Sequence, residues 1–187
     1  MNYKVVTAAT IYPVQSDEVK THLRVDSTTE DAYISTLIQA ATSAAENYCY
    51  ATFLTTTYKL YLNEFPGYND SNMFFLPRPV IQTDTAPVIK YYDGDNVLQT
   101  LSDATYYVSP NTGAIHCPDG FPSTYKRVDA VEVTYLAGET AAATVPAPVK
   151  HAILLLIGAM YEKREDSIHR FPTAAENLLM PYKNPKL

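Results

Sequence analysis

The chain has 187 residues, 47% of them hydrophobic, enough to bury one good core, or one core and a smaller module, without disulfides or metal. A formal charge of −6 argues against tight wrapping of nucleic acid, which draws on clustered Lys and Arg, and points to protein partners. Two cysteines, Cys49 and Cys117, are too few for a disulfide framework and read as free, partly buried thiols.

The first residues, Met1-Asn-Tyr-Lys-Val-Val-Thr-Ala, lack the long apolar core of a secretory signal. The longest apolar run, Ala152 to Tyr161, is about half the ~20 residues that a membrane span needs, so no membrane role is expected. Ser16, followed by Asp17 and Glu18, can cap a short helix running to about Arg24, with the two acids at the positive end of its dipole. After the polar break at 26–29, Thr28 is expected to cap a second helix with Asp31 at its third position. Ile34, Leu37, Ile38, Ala41, Ala44, Ala45 and Tyr48 then recur at helical spacing. The alanines in that stripe leave little side chain between axes, so another helix can approach closely.

From Thr55 the pattern changes to β-branched and aromatic residues. Tyr58, Leu60 and Leu62 alternate with Thr57, Lys59, Tyr61 and Asn63, which predicts a strand. Met73 to Leu76 reads as a short strand ended by Pro77 and Pro79. Residues 88–92 and 97–101 flank Asp93-Gly-Asp-Asn96 as a hairpin, with Asp-Gly supplying left-handed conformers. Further strands are expected at 106–109, 114–117 and 130–136. Beyond a small-residue linker at 138–144, Pro146 suits the first turn of a helix with Val149, Ala152, Ile153, Leu156, Ile157 and Met160 on its core face. Leu154 and Leu155 widen its apolar surface. Thr173 to Glu176 reads as a capping box for a last short helix stopped by Pro181.

These elements predict an α+β fold. Residues 1–54 with 145–187 form a helical platform, 55–144 an inserted small antiparallel β module, sandwich or barrel-like, and 181–187 an extended tail. Sixteen tyrosines against six phenylalanines and no tryptophan leave two readings open: interface rings with wet hydroxyls, or residues that simply suit strands.

Neither helical block carries an arrangement suited to chemistry, while a carboxylate pair for glycoside hydrolysis, which can form from acids distant in sequence, stays open. His116 and Cys117 are adjacent, and strand alternation sends them to opposite faces, wrong for a catalytic pair or shared metal. Asp93-Gly-Asp-Asn begins like a calcium loop but lacks its later glycine and closing glutamate. Glu162, Glu165 and Asp166 interleave with Lys163 and Arg164 as a solvated helix end. His22 and His151 read as packed or surface histidines, and Arg78 as either an interface contact or an exposed loop residue. No phosphate loop, nucleophile elbow or paired-cysteine motif occurs. No catalytic, cofactor or metal site is therefore expected, and the protein is not expected to be an enzyme.

Taken together, His22 to Tyr48, Leu-Pro-Arg-Pro-Val-Ile at 76–81, and Val133 to Glu165 with a gap at 139–144 resemble the head-tail connector (adaptor, or head completion) proteins of long-tailed bacteriophages. The resemblance is to the branch with a strand-rich insert between helices. It implies a structural ring protein, usually dodecameric, made in the host cytoplasm and built into the virion neck beneath the portal. There it would extend the DNA channel and dock a stopper or tail-completion protein, with DNA passing through the lumen and no sequence-specific binding. No enzymatic activity or cofactor is implied. The loop at 67–72 and the Asn- and Pro-containing tail depart from the pattern.

A ring needs a heterologous interface, and Ile34, Ala41, Ala45, Leu154 and Leu155 are the expected contributors. An acidic subunit also suits a lumen through which DNA must slide. The tail residues Phe171, Leu178, Leu179, Met180 and Tyr182 look like a segment that orders on the portal or a neighbouring subunit. Two alternatives remain: another neck or tail ring, a stopper or terminator, and a virion-associated carbohydrate-binding or hydrolase module.

Overall fold

The computed structural model describes residues 2–66, 72–79, 81–82, 84–163 and 172–184. In chain order the elements are β1 (Asn2–Thr7), α1 (Ser16–Leu23), α2 (Asp31–Cys49), β2 (Thr56–Leu62), β3 (Met73–Phe75) and β4 (Val88–Tyr92). They continue with β5 (Leu98–Thr100), β6 (Tyr107–Val108), β7 (Ala114–His116), β8 (Val131–Ala137), α3 (Ala147–Glu162) and α4 (Thr173–Leu179). The chain divides into a β unit, chiefly Met1–Ala8 with Thr55–Gly138, and a helical unit, Ala9–Leu54 with Glu139–Pro185.

In the β unit one antiparallel sheet runs β1-β2-β8-β4-β5 and a second runs β3-β7-β6. Both sheets keep open edges, so the module is not a closed barrel. Alternation in β2 and β8 buries Tyr58, Leu60, Val133 and Tyr135, which join Ile89, Phe74 and Ile115 in one core drawn from both sheets. Phe121 stacks on Phe65 with ring centroids 4.6 Å apart, closing one end of that core. Two buried tyrosines place their hydroxyls on carbonyls: Tyr135 donates to that of Pro77 at 2.7 Å, and Tyr106 to that of Pro87.

Several boundaries move. Asn2–Thr7, for which the sequence suggested no element, is an edge strand paired with β2. The expected strand at 106–109 shrinks to Tyr107–Val108. In the hairpin the left-handed residue is Asn96, at φ 60°, and not Gly94. Asp93 organises the turn instead: its carboxylate accepts from the Asp95 and Val97 amides at 3.1 and 3.0 Å and from the Gln99 side chain at 2.8 Å.

In the helical unit α2 packs on α3, α3 on α4, and α1 on both α2 and α3. The cap of α1 is Gln15 and not Ser16, through a reciprocal box in which Glu18 accepts from the Gln15 amide at 2.7 Å. Glu30, and not Thr28, occupies the N-cap of α2: the Thr28 carbonyl, not its hydroxyl, accepts from the Asp31 amide at 3.3 Å. Prolines precede the last two helices, Pro146 before α3 and Pro172 before α4, so Thr173 makes no capping box. Pro181 does not end the structure; Met180–Tyr182 form a 3-10 turn directly after α4.

Candidate functional site

The residues expected to make contacts are decided by what their own chain leaves exposed. The helical unit's surface is shaped by what its core consumes. Ile34, Ala41 and Ala45 are fully buried among Leu37, Ile38, Val149, Ile153 and Ile157, covered by the chain's own helices. The alanine stripe thus does what small residues allow, close helix approach, but inside one chain, and the side chains of Ala41 and Ala45 leave no area for a neighbour. Leu154 and Leu155 differ. Both are half-buried at the edge of that core and keep apolar surface outward.

Of the expected tail contacts, Phe171 lies outside the described residues. Leu179 is fully buried and belongs to the helical core, while Leu178 and Tyr182 are half-buried against it. Residues 173–184 are therefore ordered on their own chain. The Cys49 thiol donates to the Leu179 carbonyl at 3.8 Å, the Asn184 amide donates to the Cys49 carbonyl at 2.8 Å, and the Lys183 ammonium stands 4.8 Å from the Tyr48 ring centre. Met180 is left outward, 61% exposed.

The groups weighed for chemistry are occupied in other ways. His116 is exposed, whereas the buried Cys117 thiol shares its one hydrogen between the Thr105 and Gly120 carbonyls, at 3.2 and 3.0 Å. Burial, then the charge of Asp119, raises the Cys117 pKa; burial pushes that of Cys49 up to about 11. His22 and His151 meet edge to face, ring centres 6.4 Å apart, a contact between α1 and α3 that spacing alone did not reveal. Arg78 donates from Nε to the Tyr3 hydroxyl at 3.1 Å. Among the described residues no three His, Cys, Asp or Glu side chains gather as a metal site, and no helix is long and apolar enough to cross a membrane.

The model of the head completion protein family matches residues 14–184, a stretch that runs through both units. The chain belongs to the head completion protein family. This head completion protein is accordingly a structural head-tail connector of a phage-like particle, in a family that is not one of enzymes. Its fold recurs in a chain from the neck of an empty gene transfer agent particle computed with C6 symmetry: TM-score 0.80, 22% identity, covering 100% of this chain and 97% of that one. A chain in the virion of the native gene transfer agent particle gives TM-score 0.78 and 20% identity, and one in the native particle's neck computed with C12 symmetry gives 0.68 and 18%. Both cover 100% of this chain and 97% of their own. No curated protein matches the sequence significantly.

Proposed function

We propose that this head completion protein forms a ring in the neck of its particle, between the portal at the head and a stopper or tail-completion protein. The observation that carries the reading is the family match across residues 14–184, which includes the α2, α3 and α4 core as well as the strands between. The similar chains in particle necks computed with C6 and C12 symmetry support a ring about a symmetry axis, for which we propose twelve copies. Genomic DNA would pass along the axis without base-specific contacts.

Leu154 and Leu155 on α3 and the outward Met180 are the apolar groups we assign to contacts with a neighbouring subunit or the portal. Burying such side chains contributes about 1.5–3 kcal/mol each at full burial, enough to add up over a repeated junction. Deleting the coding sequence from a producing genome should yield DNA-filled heads that do not join tails, and antibody labelling of complemented particles should mark the neck. Tailed, infectious particles from the deletion would overturn the reading.

A further inference from the structure

We propose that the outer side of the five-stranded sheet, the side away from its core, is where this chain meets the phosphate backbone of DNA. The inference rests on the reading of the chain as part of a DNA conduit and names the surface involved. Register places Lys4 opposite Lys59, Tyr61 opposite Glu132, and Lys90 opposite both Glu132 and Thr100. Directly paired residues share a face, so Lys4 beside Lys59, and Lys90 on the far side of the intervening β8, lie on one face, back to back with buried Tyr58, Leu60 and Val133.

Two of these lysines bracket one ring. Their ammonium groups lie 5.4 Å (Lys4) and 5.9 Å (Lys59) from the Tyr61 centroid. The acid in the middle, Glu132, is already neutralised by Lys59 at 2.8 Å. Farther across the sheet Tyr92, two residues from Lys90 and so on the same face, carries the Arg127 guanidinium 3.8 Å from its ring centre. Four cations thus face one acid, on a chain whose 20 acidic residues outnumber its 14 basic ones.

That contrast is what gives the face a partner. Lysine is depleted in protein interfaces, whose centres are poor in charge. Phosphate contacts, in contrast, are made by Lys and Arg together with Thr, Asn and Tyr donors, the set assembled here with Thr134 and Thr100. Asp93 and Asp95 in the adjoining turn confine the contact, so binding should be local, independent of base sequence and sensitive to salt. A lumen suited to sliding DNA by its acidic balance would then carry, at this surface, a local basic contact.

The test is fluorescence anisotropy of the full-length protein with a short labelled DNA duplex across a salt series. Replacing both Lys4 and Lys90 with Gln should lower the slope of log affinity against log salt by about 2, and replacing both with Arg should restore it. Lys183→Gln, remote in sequence and set against Tyr48, should leave the slope unchanged. No duplex binding by the wild type at low salt, an unchanged slope in the Gln variant, or an equal loss in Lys183→Gln would overturn the inference. So would a Gln variant that binds the duplex normally but no longer assembles, since the face would then meet protein. Labelling in the neck is read independently, so this idea can fail while the connector role stands.

Discussion

The Tyr161 hydroxyl, near the end of α3, donates to the carboxylate of Glu30, the N-cap residue of α2. This bond ties the start of one long helix to the finish of the other, across 131 positions of sequence. A hydrogen bond to a charged acceptor at a half-buried position contributes on the order of 1 kcal/mol. Tyr161→Phe should therefore lower the urea midpoint of helix unfolding, followed by circular dichroism, by that equivalent. A midpoint equal to wild type would show that solvent replaces the bond without loss.

Two glycines should respond to Ala in opposite directions. Gly158 lies within α3, and an added Cβ would meet the His22 ring at 3.6 Å, an ordinary contact. Removing a mid-helix glycine should stabilise the protein by about 0.5–1 kcal/mol. Gly113 sits at φ 71°, where a Cβ would come within 2.7 Å of the Leu76 carbonyl oxygen. Gly113→Ala should destabilise by about 1–3 kcal/mol. Thermal melts of the two variants check both signs.

Cysteine reactivity should be suppressed in the folded protein. With the Cys49 pKa raised by burial from 9.0 to about 11, its thiolate is scarce near neutrality. Cys117 is shifted the same way. Ellman's reagent should label both thiols slowly under native conditions and rapidly in denaturant. Fast native labelling of Cys49 would contradict its burial beneath Leu179.

Acid should loosen the turn of the β4–β5 hairpin. The Val97 amide and the Gln99 side chain, as donors, hold the Asp93 carboxyl below its usual value of 3.8. A lowered folded pKa means the contact stabilises above the ordinary carboxyl range and is lost as pH falls through the folded value. Exchange of the Val97 amide, corrected for intrinsic rates, should accelerate below about pH 4. In Asp93→Ala that protection should be absent at every pH.

Met180→Lys should leave folding stability within about 0.5 kcal/mol, because the side chain projects from its turn. The same change should weaken co-sedimentation with portal-bearing heads. Undiminished binding would remove Met180 from the contact surface.

Much of the fold was legible because long periodic segments carry their own signal. The Ile34-to-Tyr48 stripe, the Val149-to-Met160 face, the alternation from Thr57 and the Asp93 turn each express a local rule. What the sequence could not supply was which apolar surface remains outside. Ile34, Ala41 and Ala45 satisfy the pattern of an interface and of a core equally well, and only the placement of α3 and α4 decides between them. The N-terminal strand was missed because six residues at a sheet edge, all but Tyr3 exposed, show no alternation. Nor did any local signal mark the lysine face: Lys4, Lys59 and Lys90 are separated by 55 and 31 positions and come to one face of the sheet only through register.

Each unit is stitched from distant stretches of chain, and this has a consequence for biosynthesis. During translation β2 emerges about 70 residues before its partner β8, and α2 waits about a hundred residues for α3, so the β core cannot close before β8 is made, nor the helical core before α3. A polypeptide interrupted before α3 would lack half of both the helical core and the surfaces that sit on it. Such a fragment keeps the β unit but has no helical core on which α3 and Met180 could present a contact surface, so assembly should select finished chains.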